Sequence, residues 1–316
     1  MEAHTLENYT APEVYEQEAG YSCGQVRKIL KLGVPKGSLQ EATLALFKKA
    51  GFNIYIHERS YKPAIDDEEI ECLLIRAQEI PKYVEEKVLD FGLSGKDWIT
   101  ETNADVEEIA DLVYAKQGYG KIKLIVAVAE DSNIKSIKDL EGKRVATEFV
   151  NITKAFLKKH RVNAEVEFSW GATEVKVPDL VDAIVELTET GGSLKANKLR
   201  IIETIMESTT KLIANKESMI DMQKKKKIQA IALLLKGALL AEKKVGLKMN
   251  VERKNVKELL RLLPALQKPT VSELAEKNWV AIETILDEKI VREIIPQLKI
   301  FGAKGIVEYP INKIIE

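Results

Sequence analysis

Between Asp179 and Leu194 the chain reads Asp-Leu-Val-Asp-Ala-Ile-Val-Glu-Leu-Thr-Glu-Thr-Gly-Gly-Ser-Leu, an apolar run with an acid near its end and then a Thr/Gly/Ser loop. Leu180 to Leu187 is too short and too sharply bounded for a typical helix. Its aliphatic residues fall on both faces except at Asp182 and Glu186, which predicts a buried parallel strand. Thr188, Thr190 and Ser193 offer hydroxyls, and Gly191 and Gly192 let backbone N–H groups approach an anion closely. Ser193 to Asn197 can start a helix whose positive end faces the same point. Glu186, placed ahead of this loop, suits the 2- and 3-hydroxyls of a ribose whose 5-phosphate sits in the loop. No Lys follows the glycines at Walker spacing. A Thr/Gly-rich stretch also serves simply as a turn, so the loop alone leaves both readings open.

What surrounds this segment bounds the chemistry further. The chain has 316 residues, 45% hydrophobic and 31% charged, enough for two or three ordinary cores. Forty-eight Lys and Arg against 49 Asp and Glu leave a formal charge of -1. That balance supplies no electrostatic case for nucleic acid or a membrane surface. Cys23 and Cys72 make neither a disulfide framework nor a CxxC pair, which fits a reducing cytoplasm. His4, His57 and His160 are scattered, so a zinc site or a Ser/His/Asp triad has little material. Residues 1–26 carry several acids and no apolar h-region, and are read as a mobile extension rather than a secretory signal. The longest apolar stretch, Ile228 to Leu240, is interrupted by Gln229, Lys236 and Gly237 and falls short of a membrane span.

The elements that must position the loop alternate. A strand at Ile29 to Val34, the turn Pro35-Lys36-Gly37-Ser38 and an amphipathic helix from Leu39 to Ala50, ended by Gly51, form a first β-turn-α unit. Strands at Glu71 to Ile75 and Val88 to Leu93 follow, with helices at Glu79 to Glu86 and from Gly95-Lys96-Asp97. A second block starts near Gly118, and the loop segment is its last strand. Leu199 to Glu207 and Thr210 to Ala214 are expected to return to the first block. The fold class is therefore α/β: lobe I at 27–117 with 197–216, lobe II at 118–196, and a cleft between them. A connecting helix spans 217–244; its Lys224 to Lys227 run reads as a solvated face. Residues 245–316 follow a βαββαβ-like pattern, a small ferredoxin-like (ACT-like) α+β domain of the kind that binds regulators.

Several separated motifs converge on one family. They are Val34-Pro35-Lys36-Gly37-Ser38-Leu39, Leu74-Ile75-Arg76-Ala77-Gln78-Glu79-Ile80, Leu89 to Asp97, Arg144-Val145-Ala146-Thr147, Gly171-Ala172-Thr173-Glu174 and the loop segment through Arg200. With Lys268 to Val271, Asn278 to Ile282 and Gly302 to Gly305 added, the chain after residue 27 resembles the long form of ATP phosphoribosyltransferase, with a two-lobed, periplasmic-binding-protein-like catalytic region. The resemblance implies the first step of histidine biosynthesis. In it, N1 of ATP attacks C1 of phosphoribosyl pyrophosphate, and pyrophosphate leaves.

Carried over residue by residue, the resemblance implies that Glu186 holds the ribose hydroxyls and that Thr188, Glu189, Thr190, Gly191, Gly192 and Ser193 surround the 5-phosphate. Lys36 would sit near the pyrophosphate, with Mg²⁺ held mainly by substrate phosphates rather than by protein ligands. Arg76 and Asp97 match positions on the ATP side. The family usually has Lys where Gln78 stands and Asp where Glu79 stands. Histidine is the implied inhibitor, at Asn250, Leu266, Thr270 and Gly305. Assembly from dimers to hexamers and a cytoplasmic location are likewise implied. The alternative from another class is a non-catalytic two-lobed binding module with a sensor domain.

Overall fold

The computed structural model describes residues 28–57, 60–114, 122–263 and 268–316. The expected extension at 1–26 and the expected ligand contact at Leu266 lie outside these residues.

Buried aliphatic runs make the first sheet. Its order is Ile70–Arg76, Leu30–Lys36, Phe91–Gly95, Thr210–Ala214, Glu107–Leu112. The first three strands are parallel, and Thr210–Ala214 runs antiparallel to both of its neighbours. One face packs Leu32, Val34 and Phe91 against Phe47 of helix Gln40–Ala50 and Ile231 and Leu235 of helix Met222–Ala241. The other packs Ile213 with Ile80, Val84 and Ile99. Coverage on both faces is why these strands show no polar alternation. A Cβ on Gly92 would stand 2.6 Å from Ile80 Cγ2, so that glycine is what lets helix Ile80–Glu85 lie so near the sheet.

The second sheet has the order Leu199–Ser208, Ile122–Ala129, Ala183–Thr188, Arg144–Thr147, Glu165–Phe168. Ala183–Thr188 is central, with Ala183, Ile184 and Val185 buried as expected and Glu186, Leu187 and Thr188 half-buried, but it is parallel only to Arg144–Thr147; beside Ile122–Ala129 it is antiparallel. The expected border at 197 also moves. Leu199–Ser208 pairs with Ile122–Ala129 from Leu199 opposite Ala129 to Ser208 opposite Ile122, so it belongs to the second lobe. Only Thr210–Ala214 re-enters the first sheet, and Thr209 is the crossing point.

The linker also departs from a single helix. Lys216–Ile220 and Met222–Ala241 are separated by Asp221, whose carboxylate accepts the N–H groups of Gln223 and Lys224 at 3.0 and 3.2 Å and so caps the second helix. The four-lysine run is not wholly solvated. Lys224 Nζ lies 2.6 Å from Asp90, and Lys227 Nζ lies 2.7 Å from both Asp67 and Glu69, tying the helix to the first lobe.

Residues 244–310 form the expected βαββαβ module, an antiparallel sheet ordered Thr270–Glu273, Trp279–Asp287, Lys244–Glu252, Lys304–Pro310. Helices Val256–Leu262 and Glu288–Ile300 share its core with Leu247, Met249 and Ile282. Its last residues return to the rest of the chain: Ile314 N–H donates to Gly237 O at 3.0 Å, and Lys313 Nζ donates to Ala50 O at 2.8 Å. Among the described residues no helix is long and apolar enough to cross a membrane.

Candidate active site

Parallel strands end at the same edge of a sheet, so their last residues meet. Lys36, Arg76 and Gly95 are the final residues of three neighbouring strands of the first sheet, and Thr188 ends the central strand of the second. Between these ends lies a cleft of about 550 Å³. Every catalytic and substrate residue expected from the sequence lines it: Lys36, Arg76 and Asp97 from the first lobe, and Glu186, Thr188, Glu189, Thr190, Gly191, Gly192 and Ser193 from the second. The volume is within the range that holds a small ligand.

On the second-lobe wall, Gly191 N–H donates to Thr188 Oγ1 at 2.9 Å and closes the loop, with Gly191 at φ 74° in the left-handed region. The helix that follows, Gly192–Ala196, has only five residues. The expected contribution of a helix dipole is therefore small, and the loop hydroxyls and N–H groups are the chemistry on offer. Glu186 is half-buried, and its carboxylate accepts the N–H of Leu187 at 3.0 Å. Burial pushes its carboxyl up to about 7, the Leu187 N–H and the Thr173 hydroxyl oppose this, and the nearby Glu174 and Glu148 add to it.

On the first-lobe wall, Lys36 and Arg76 are direct partners in the parallel register. Gly37 follows at φ 103°, and Arg76 Nη1 lies 3.3 Å from where a Cβ there would stand. Asp97 is buried at the start of helix Lys96–Thr102. Its Oδ1 accepts the Ser208 hydroxyl at 2.9 Å, and Ser208 Oγ accepts the Asp97 N–H at 3.1 Å. Burial raises its carboxyl against these bonds. A Cβ on Gly95 would stand 1.9 Å from Asp97 Oδ1, so only glycine fits there. Asp97 thus lines the cleft and also fastens the crossing strands beside it.

Sequence reasoning missed the residues that join the walls. Glu148 follows strand Arg144–Thr147, as Gly37 follows Leu30–Lys36, and that strand-end position was the available signal. Burial raises its carboxyl, while a hydrogen bond from Gln78 and the charge of Arg76 lower it. Gln78 therefore faces an acid across the cleft instead of carrying a charge of its own. Beside them the Trp98 and Phe149 rings lie 4.4 Å apart at 35°. Glu101 of the first lobe accepts the N–H groups of Asn151 and Ile152, each at 2.9 Å, at the start of helix Val150–His160 in the second. No group of three or more His, Cys, Asp or Glu able to hold a metal is found among the described residues.

In the C-terminal module, Asn250 and Gly305 meet: a Cβ on Gly305 would stand 3.9 Å from Asn250 Nδ2. Thr270 is opposite Glu283, which is opposite Lys248, two residues from Asn250, so Thr270 shares a sheet face with Asn250 but lies two strands away.

Two α/β lobes joined by crossing strands, a polar cleft with cations on one wall and a hydroxyl and amide loop on the other, and a small βαββαβ module define a two-lobed α/β cleft protein with an appended α+β domain. The family model described as ATP phosphoribosyltransferase (HisG) matches residues 76–237, and the model of the HisG C-terminal domain matches residues 241–313. An ATP phosphoribosyltransferase of Thermodesulfovibrio yellowstonii is 62% identical over 288 residues, 91% of this chain and 99% of that protein. One from Pelotomaculum thermopropionicum is 60% identical over 286 residues, 90% of this chain and 99% of that protein. Among solved structures, a chain of an ATP phosphoribosyl transferase (HisG:HisZ) complex from Thermotoga maritima superposes with a TM-score of 0.57 at 26% identity, over 66% of this chain and 99% of that one. The chain belongs to the ATP phosphoribosyltransferase family, in its long form with the C-terminal domain. It is a phosphoribosyltransferase of the first step of histidine biosynthesis, and the alternative of a non-catalytic two-lobed binding module with a sensor domain is not favoured.

Proposed function

We propose that the cleft positions ATP and phosphoribosyl pyrophosphate so that N1 of the adenine attacks C1 of the ribose. The N1 lone pair forms the new bond as the C1–O bond to pyrophosphate breaks, with inversion at carbon and the electron pair leaving on the pyrophosphate oxygen. A ring nitrogen with a free lone pair needs no general base, so the chemistry rests on aligning two polyanions and on countering charge at the leaving group. One observation supports this most: the acid Glu186 and the loop Thr188 to Ser193 face Lys36 and Arg76 across a single cleft.

In this reading ionised Glu186 accepts the 2- and 3-hydroxyls, and Thr188, Glu189, Thr190, Gly191, Gly192 and Ser193 surround the 5-phosphate. Lys36 meets the pyrophosphate, and Arg76 and Asp97 bound the ATP side. Mg²⁺ enters with the substrate phosphates. Histidine inhibits through Asn250, Thr270 and Gly305, Leu266 being the fourth residue assigned there. The enzyme works as a homo-oligomer, dimers assembling to hexamers, in the cytoplasm, where the buried thiol of Cys72 stays reduced.

The test is incubation with ATP, phosphoribosyl pyrophosphate and Mg²⁺ while pyrophosphate release is followed. Release that depends on both substrates is expected; none, with both bound, overturns the reading. Removing residues 245–316 is expected to abolish histidine inhibition, and inhibition that survives places the inhibitor elsewhere.

A further inference from the structure

Lys36 and Arg76 end adjacent parallel strands as register partners, so two cations stand side by side at the rim of the cleft. Like charges so placed repel and splay apart unless something holds them. Arg76 has the carboxylate of Glu148 near it. Lys36 has a different neighbour: its Nζ lies 4.1 Å from the centroid of the Tyr61 ring. Tyr61 is itself fixed to the same sheet, since its carbonyl accepts the N–H of Leu74 at 2.8 Å, two residues before Arg76. That bond holds the backbone that carries the 57% exposed ring beside the strand ends.

We propose that Tyr61 is a positioning residue for the transferase reaction, its aromatic face holding the Lys36 ammonium toward the pyrophosphate without neutralising it. An acid in this place would also hold Lys36, but it would compete with the substrate's phosphates for the same charge and repel them. The face of a ring attracts a cation through its quadrupole and leaves the net positive charge available. The four-carbon Lys stem otherwise samples many rotamers, which binding would have to freeze.

This rests on the placement of Lys36 at the pyrophosphate, and the test separates the two. The variants are Tyr61→Phe, Tyr61→Leu, Lys36→Met and the double variant Tyr61→Leu/Lys36→Met, each checked for folding by circular dichroism. The readouts are kcat/KM for phosphoribosyl pyrophosphate, inhibition by added pyrophosphate, and ATP binding. Tyr61→Leu is expected to lose about 3- to 5-fold in kcat/KM and to weaken pyrophosphate inhibition similarly, with ATP binding unchanged. Tyr61→Phe, which keeps the ring, is expected to match wild type. In the Lys36→Met background Tyr61→Leu is expected to cost nothing more, because the contact is already gone. Equal losses for the Leu change in both backgrounds, or a Phe variant as impaired as Leu, overturn the proposal while leaving Lys36 in place. A Lys36→Met enzyme with unaltered use of phosphoribosyl pyrophosphate overturns the placement of Lys36 and the role of Tyr61 with it.

Discussion

Where the first lobe meets the cleft with the cations Lys36 and Arg76 on neighbouring strand ends, beside the buried Asp97, the second meets it with the hydroxyls and N–H groups of Thr188, Thr190, Gly191, Gly192 and Ser193. The second lobe also supplies acids, Glu186 and Glu189 in the cleft and Glu148 near Arg76, with the Glu186 carboxyl pushed up to about 7 by burial. In the proposed reading the contrast follows the fate of the phosphates. A 5-phosphate keeps its charge throughout the reaction, so neutral donors that hold it evenly are sufficient. Pyrophosphate gains charge as the C1–O bond breaks, and cations held at the strand ends stabilise what develops there.

The most direct way to break this division is Glu186→Ala. It is expected to lower kcat/KM for phosphoribosyl pyrophosphate about 100-fold, since two hydrogen bonds to a charged acceptor are lost. ATP binding, followed by calorimetry, is expected to change little. Comparable losses on both sides would remove the assignment of the second wall to the sugar phosphate. Next in size is Glu101→Ala, which touches neither wall but the seam between them. It leaves the N–H groups of Asn151 and Ile152 without their acceptor and is expected to lower unfolding free energy by about 2 kcal/mol in urea titrations. A variant as stable as wild type would show that the seam does not hold the lobes in register.

Thr190→Ala probes the cradle alone. An exposed hydroxyl shared among several donors is expected to cost about 10-fold in kcat/KM for phosphoribosyl pyrophosphate, again sparing ATP. A larger effect on ATP than on the sugar phosphate would mean that the loop faces the nucleotide.

How much of this was legible from sequence depended on whether the parts of a device lie in one segment. Glu186 and the loop are consecutive, and Lys36, Arg76 and Asp97 each sit where a strand yields to a turn or helix, so alternation of elements already points at the cleft. The devices that join segments were not legible. Ser208 binds Asp97 across 111 residues, and Glu101 caps a helix 50 residues on. Lys224 looked solvated because Asp90 is 134 residues away. Leu199–Ser208 was placed in the wrong lobe because its exposure alternates irregularly around two register shifts, so its pattern names no sheet. Thr270–Glu273 is exposed at every residue and pairs at a sheet edge, leaving no apolar period to read.

The smallest expected effect tests the buried acid itself, through pH. The Glu186 carboxyl stands at about 7 in the folded, empty cleft against an ordinary value near 4.5. Between those two values the folded chain holds a proton that the unfolded chain has released, so stability falls as pH rises through the window. Below about 4.5 the penalty is absent, and above about 7 it is complete. Glu148 and Glu174 face the same carboxylate and Arg76 faces Glu148, so the total slope belongs to several groups. Comparison with Glu186→Gln isolates one of them. Between pH 5 and 8 wild type is expected to lose on the order of 1–2 kcal/mol more stability than the Gln variant, after allowance for partial exposure. Catalysis runs the other way: the ionised form accepts the ribose hydroxyls, so kcat/KM for phosphoribosyl pyrophosphate rises from pH 6 to 8 in wild type and stays flat in Glu186→Gln. Opposite slopes for stability and activity, both removed by one substitution, are what a buried acid held for a sugar predicts; parallel slopes in the two proteins would return Glu186 to a structural role.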